Sequence, residues 1–125
     1  MARTAVTPTA WAPNSSVVDV AGTTIDSTLV TNGVKVSNCV PEETVIRVAN
    51  TAGADKVVTI GAGDYPPAIA AGQGALTGTV VATSGVRWFG PFESGRFIQN
   101  NGDLEVDFGS GTTGTITVFR MPRTA

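Results

Sequence analysis

The sequence predicts an all-β fold: a single-domain β-sandwich of about eight strands carrying an extended N-terminal arm. Three observations point there. Short apolar runs alternate with turn residues from Ser16 to Met121. Only 14% of the residues are charged, against about 25% in an average domain. Polarity rests instead on Thr, Ser, Asn and 15 glycines, and Thr suits strands while Gly suits tight turns. Finally, 125 residues suit one domain. A chain of that size buries roughly two thirds of its unfolded surface and needs no disulfide or metal to fold.

Residues 1–15 form the arm and residues 16–125 the sandwich domain. The arm shows no apolar alternation, and Pro8 and Pro13 bias it toward extended geometry. Fully extended, such an arm reaches about 50 Å, far enough to lie across a neighbouring subunit. Val6, Pro8, Trp11 and Pro13 are its candidate interface residues, and Trp11 is a large apolar side chain that a frayed terminus seldom carries.

The domain then reads as a succession of strands. "SVVDV" (16–20) is closed by Gly22, and "STLVT" (27–31) by the Asn32-Gly33 turn signal. "VKVSNCV" (34–40) stops at Pro41. "TVIRVAN" (44–50) and "KVVTIG" (56–61) form a hairpin around "TAGAD". "PEETVIRVA" also has a helical start in Pro41 and two glutamates, but its β-branched residues Thr44, Val45, Ile46 and Val48 favour a strand. The loop "AGDYPPAIAAGQGALTG" is too rich in Pro and Gly for a helix. "TVVAT" (79–83) and "VRWFG" (86–90) flank Ser84-Gly85, "RFIQ" (96–99) runs into an Asn-Asn-Gly turn, and "LEVDF" (104–108) and "TITVFRM" (115–121) end the domain. Jelly-roll-like and immunoglobulin-like strand orders both accommodate this count.

Four of the five Phe residues and one of the two Trp residues fall between Val86 and Phe108. Two readings compete. A core of Val, Ala and Thr needs large fillers, so Trp88, Phe89, Phe92, Phe97 and Phe108 close its voids. Alternatively, Trp88 and Phe89 form a ligand platform. Strand phase puts Val86, Trp88 and Gly90 on one face and Arg87 and Phe89 on the other. Gly90-Pro91 then interrupts the ladder.

Composition excludes much chemistry. The chain has no His, which removes Ser-His-Asp triads, Cys-His dyads and nearly all zinc sites. The single cysteine, Cys39, reads as a small, half-buried apolar residue, since nothing here activates a nucleophile. Lys35 and Lys56 stand on strands without a motif. Asp103, Glu105 and Asp107 share one strand face opposite Leu104, Val106 and Phe108. A Ca²⁺ site or a glycosidase pair is one reading of them. The other is an amphipathic strand whose acids need a basic neighbour, with Arg47, Arg87, Arg96 and Arg120 as candidates. The glycine-rich "GAGDYPP" and "GSGTTG" lack phosphate-loop spacing and read as turns. Overall, no catalytic, metal or cofactor residues are expected, and the chain reads as a non-enzyme. The net charge of −2 without a basic run argues against nucleic acid. The start lacks a secretory apolar segment, and no run is long enough to span a membrane.

"TVIRVANTAGADKVVTI", followed by "SGVRWFGPFESGRFIQNNGDLEVDFGSGTTGTITVFRM", resembles the small β-rich head decoration, or cement, proteins of tailed bacteriophages, which are encoded beside the major capsid gene. "GPF" and "NNGDLEVDF" are the most specific parts, and the resemblance spans about residues 44–121. It implies a structural virion protein, made in the host cytoplasm, that stabilises the outer capsid surface. The implied partners are the major capsid protein and the chain itself, as a homotrimer that bridges neighbouring capsid subunits. A second reading is a carbohydrate- or receptor-binding module stacking its ligand on Trp11, Tyr65, Trp88 or Phe89. The third, a hydrolase using Asp103, Glu105 or Asp107, rests on those acids alone.

Overall fold

The computed structural model describes residues 3–11, 14, 16, 18, 21–37, 39–63, 74–92, 97–99 and 102–121. Among them are ten strands in two mixed sheets and almost no helix. The strands are β1 (Thr4–Ala5), β2 (Thr9–Ala10), β3 (Thr23–Ile25), β4 (Val34–Val36), β5 (Thr44–Asn50), β6 (Lys56–Ile60), β7 (Leu76–Val80), β8 (Gly85–Phe89), β9 (Leu104–Phe108) and β10 (Gly114–Arg120). One sheet has the order β1-β4-β9-β6-β7, the other β2-β10-β5-β8, and β3 also pairs with β10. We call these sheet A and sheet B.

The eight strands from β3 to β10 pair in a nested way. β3 pairs with β10, β4 with β9, β5 with β8 and β6 with β7, all antiparallel. They therefore form one long hairpin whose two arms are then rolled together. Rolling creates two further antiparallel ladders, β10 with β5 and β9 with β6. The two arm strands are the parallel additions: β1 lies on β4 and β2 on β10. Thus residues 3–11 run along sheet A and then along sheet B of their own chain.

Period-two alternation builds the core. In β5, Thr44, Ile46, Val48 and Asn50 are buried while Val45, Arg47 and Ala49 are not. In β9, Leu104, Val106 and Phe108 are buried, and Glu105 and Asp107 face outward as the alternation predicts. Ile46, Val48, Ile116 and Val118 from sheet B join Val34, Val36, Val58, Ile60, Leu104 and Val106 from sheet A in one apolar cluster. Val6 of the arm joins it too.

The aromatic stretch divides. Phe89, Phe92, Phe97 and Phe108 are core residues, with Phe92 and Phe97 edge to face at 5.5 Å. Trp88 is not a filler: it stands on the outer face of sheet B and is 54% exposed. Strand phase alone separates it from Phe89, so the two cannot share a platform. The Gly90–Pro91 peptide bond is cis.

The segment 27–31 is a second correction, since Ser27–Asn32 is a short helix, α1. The Asp26 side chain accepts from the Leu29 N–H at 3.0 Å, and Gly33, at φ 82°, donates its N–H back to the Leu29 carbonyl at 2.8 Å. Both ends are capped locally, which outweighs the β-branched content. Asn32-Gly33 therefore ends a helix rather than a hairpin. Pro41–Glu43 forms one 3-10 turn before β5. The strand expected over 16–20 falls mostly outside the described residues, as do Pro13, Tyr65 and Arg96.

Gly78 on β7 marks where the two sheets approach at one side. A Cβ there would sit 2.6 Å from the Phe89 ring and 2.7 Å from Arg87 Nε. Gly78→Ala is expected to destabilise the fold by about 1–3 kcal/mol, as overpacking does. Gly53→Ala meets nothing within 4 Å and should stay within about 0.5 kcal/mol of the parent. Urea unfolding of both variants checks this, and equal midpoints would refute the assigned packing role of Gly78.

Candidate functional site

The outer face of sheet B is built by register. β5 and β10 pair from Gly114 opposite Asn50 to Arg120 opposite Thr44. With Ile46 and Ile116 turned inward, Val45, Arg47 and Ala49 share the outer face with Thr115, Thr117 and Phe119. β8 then sets Trp88 beside Arg47 and Val86 beside Ala49. The Trp11 N–H donates to the Arg120 carbonyl at 2.9 Å, which pins the end of the arm beside β10.

These positions assemble an aromatic shelf. Phe119 lies in the middle, 5.9 Å from Trp11 and 5.7 Å from Trp88, the second pair nearly stacked at 24°. The two indoles leave Phe119 only 5% exposed although it sits on an outer face. Trp11 is half-buried, whereas Val86 and Trp88 are exposed. The Arg47 guanidinium stands 6.0 Å from the centre of the Trp88 ring, within cation–π range. Gly22, at φ 77°, crosses over Thr117 and bounds the shelf at one end.

The charged groups sort into two kinds. Arg3 binds Asp107 at 2.8 Å and Glu105 at 3.5 Å. Lys35 stands 4.0 Å from Asp103, and Arg120 3.6 Å from Glu43. Lys56 donates to the Ser110 carbonyl at 2.8 Å. Arg47 and Arg87 have no carboxylate partner among the described residues. Arg87 only reaches across to the Thr79 carbonyl at 3.4 Å.

The acid stripe thus lies on the outer face of sheet A, and its cations come from β4 and the arm. The expected partners Arg47, Arg87 and Arg120 lie elsewhere, because the strands beside β9 are β4 and β6, with β1 beyond β4, whereas those arginines stand on strands of sheet B. Burial alone would lower the Arg3 pKa, but its hydrogen bond to Asp107 and the charges of Asp107 and Glu105 raise it. Among the described residues no three His, Cys, Asp or Glu side chains come together in a way that could hold a metal. Cys39 is half-buried, with its sulfur 3.3 Å from Thr44 Oγ1, and burial pushes its thiol pKa up. Such a thiol is a poor nucleophile.

Of the arm residues singled out from the sequence, Val6 is buried in the core, Pro8 is half-buried and Trp11 completes the shelf. Sequence reasoning missed Phe119 and Arg3. Phe119 had a signal: in "TITVF" it shares its face with Thr115 and Thr117, so it is an apolar residue on a polar face. Arg3 had none, since its partners lie more than a hundred residues away. The chain is therefore a two-sheet, all-β protein whose most exposed aromatic chemistry, among the described residues, lies on one sheet face. Compared with known proteins, it matches no family model, no curated protein and no solved structure.

Replacing Arg3 by Met leaves Glu105 and Asp107 on one face without their cation. A loss of about 1 kcal/mol is expected, larger at low salt where their repulsion is unscreened. Denaturant unfolding at two ionic strengths measures it, and a salt-independent midpoint shift would contradict the charge argument.

Proposed function

We propose that this protein is a structural virion component that decorates the outer surface of a phage capsid. It binds the major capsid protein and bridges neighbouring subunits, as a homotrimer without enzymatic activity. The observation that carries this reading is the shelf of Trp11, Phe119 and Trp88 flanked by Arg47, which has no carboxylate partner among the described residues. An aromatic surface beside a guanidinium suits a protein interface, where the few residues that dominate binding are enriched in Trp, Tyr and Arg. The sequence resemblance over residues 44–121 supports the same reading, and the nested pairing of β3 to β10 favours, as part of this proposal, a jelly-roll-like over an immunoglobulin-like order. Multivalent attachment would let a modest contact at each copy sum to tight binding. Synthesis in the host cytoplasm followed by residence on the virion surface completes the proposal.

The reading requires a major capsid gene beside this one, and the experiment is binding to capsids assembled from that gene's product. Trp88→Ala removes the stack on Phe119, so it should lower the melting temperature by a few degrees while leaving the fold intact, and weaken capsid binding by about tenfold or more. Wild-type protein that fails to bind the capsids overturns the proposal. An exposed Trp beside Arg and Thr also suits stacking on a sugar ring. Glycan screening that shows binding lost in Trp88→Ala, with no capsid binding, would favour the carbohydrate-binding alternative.

A further inference from the structure

The backbone of β8 carries a second kind of information. The Thr51 N–H donates to the Thr113 carbonyl at 3.0 Å. Main-chain groups alternate along a strand, so Val45, Arg47 and Ala49 direct theirs toward β10. Ile46, Val48 and Asn50 direct theirs toward β8, where their partners are Phe89, Arg87 and Gly85. Val86 and Trp88 therefore turn their N–H and C=O groups to the free side. β8 is the edge of sheet B, and no strand among the described residues covers it. The opposite edge is occupied: β2 and β3 both lie on β10.

Side-chain exposure falls on the same strand. Val86, Arg87 and Trp88 are exposed in succession, Val86 at 44%. Arg87 belongs to the edge strand itself, so any strand laid beside β8 meets it directly. Arg47 reaches over the Trp88 ring from the next strand. These are the two described arginines without a carboxylate. Both described lysines and the other two described arginines, Arg3 and Arg120, are engaged by carboxylates or, for Lys56, a carbonyl.

Resting on the capsid-binding reading, we infer that β8 receives an extended, acidic segment of the partner protein as an added strand. The segment pairs with the main-chain groups of Val86 and Trp88. Its carboxylates meet Arg87 and Arg47, and its apolar side chains cover Val86 and the Trp88 indole. Main-chain pairing supplies affinity and the charges supply choice of partner. A second copy of the chain is disfavoured as occupant, because two β8 edges side by side would oppose their own Arg87 residues. Arginine at a sheet edge is a known guard against such self-pairing.

The test uses the full chain and the same capsids, with three variants. Val86→Pro removes an outward N–H at an edge position that tolerates proline. Arg87→Glu reverses the charge at an exposed site, and Trp88→Ala removes the shelf. Val86→Pro and Arg87→Glu are each expected to weaken capsid binding by about tenfold or more, and raised salt should weaken the wild type. Should Val86→Pro unfold, as circular dichroism would show, Arg87→Glu alone decides. If the wild type binds, Trp88→Ala binds poorly and both edge variants bind like the wild type, strand addition is wrong while the capsid reading stands. If native mass spectrometry shows a self-association that Val86→Pro abolishes, the edge serves a second copy and the proposal is likewise wrong.

Discussion

The pairing of β5 with β10 is the interaction on which the rest of this molecule depends. It joins the two arms of the long hairpin, turning a ribbon into a rolled pair of sheets. On its inner side it brings Ile46 against Val118 and Val48 against Ile116, all essentially inaccessible. On its outer side the same register sets Phe119 opposite Val45 and Thr117 opposite Arg47. β8 hangs from β5, and β2 and β3 hang from β10, so every part of the aromatic shelf is placed by this one ladder. A slip of one residue would exchange the two faces, and burial of both isoleucines forbids it.

Two open sheets present four edges, and the N-terminal residues close two of them. β1 covers β4 and β2 covers β10, with Val6 dropping into the core between them. Arg3 anchors the start of this run on the acids of β9. Sequence-distant charges thus hold a segment whose own strands are only two residues long. The arm brings Trp11 to the shelf, so shelf and closed edges depend on the same residues, 3–11. The β7 and β8 edges remain, side by side, with Arg87 running from one to the other.

Most of the domain was legible because its strands alternate. β5 follows the sequence boundaries, and β9 presents its acids and apolar residues on the faces that period two dictates. The α1 segment was not, because three β-branched residues, Thr28, Val30 and Thr31, outvoted two caps whose strength lies in local geometry. Trp88 was placed with the correct phase but the wrong environment. Which of two faces a strand buries depends on its neighbours, and those follow from topology. The partners of the acid stripe depend on topology as well, so Arg3 could not be chosen over Arg47 or Arg120. The shelf was half legible: Trp11 stood out, but its meeting with Trp88 over Phe119 needs the parallel pairing of β2 on β10.

The division of labour among the aromatics follows from the same register. Phenylalanine has no polar atom, and four of the five Phe residues fill the core. Indole carries an N–H and tolerates a surface, and both described tryptophans stand on the outer face with Phe119 between them. In an antiparallel edge strand, backbone direction and side-chain face alternate with the same period. The residues that offer free N–H and C=O groups must therefore all project from one face. Burying Phe89 commits Gly85, Arg87 and Phe89 to pairing with β5, and leaves Val86 and Trp88 to offer backbone and side chain together. Had the ladder been shifted by one, both would exchange together: Gly85, Arg87 and Phe89 would offer the free backbone from the outer face, and Val86 and Trp88 would turn toward the core. The packing requirement of one phenylalanine thus decides that the open edge of sheet B is lined by an exposed tryptophan.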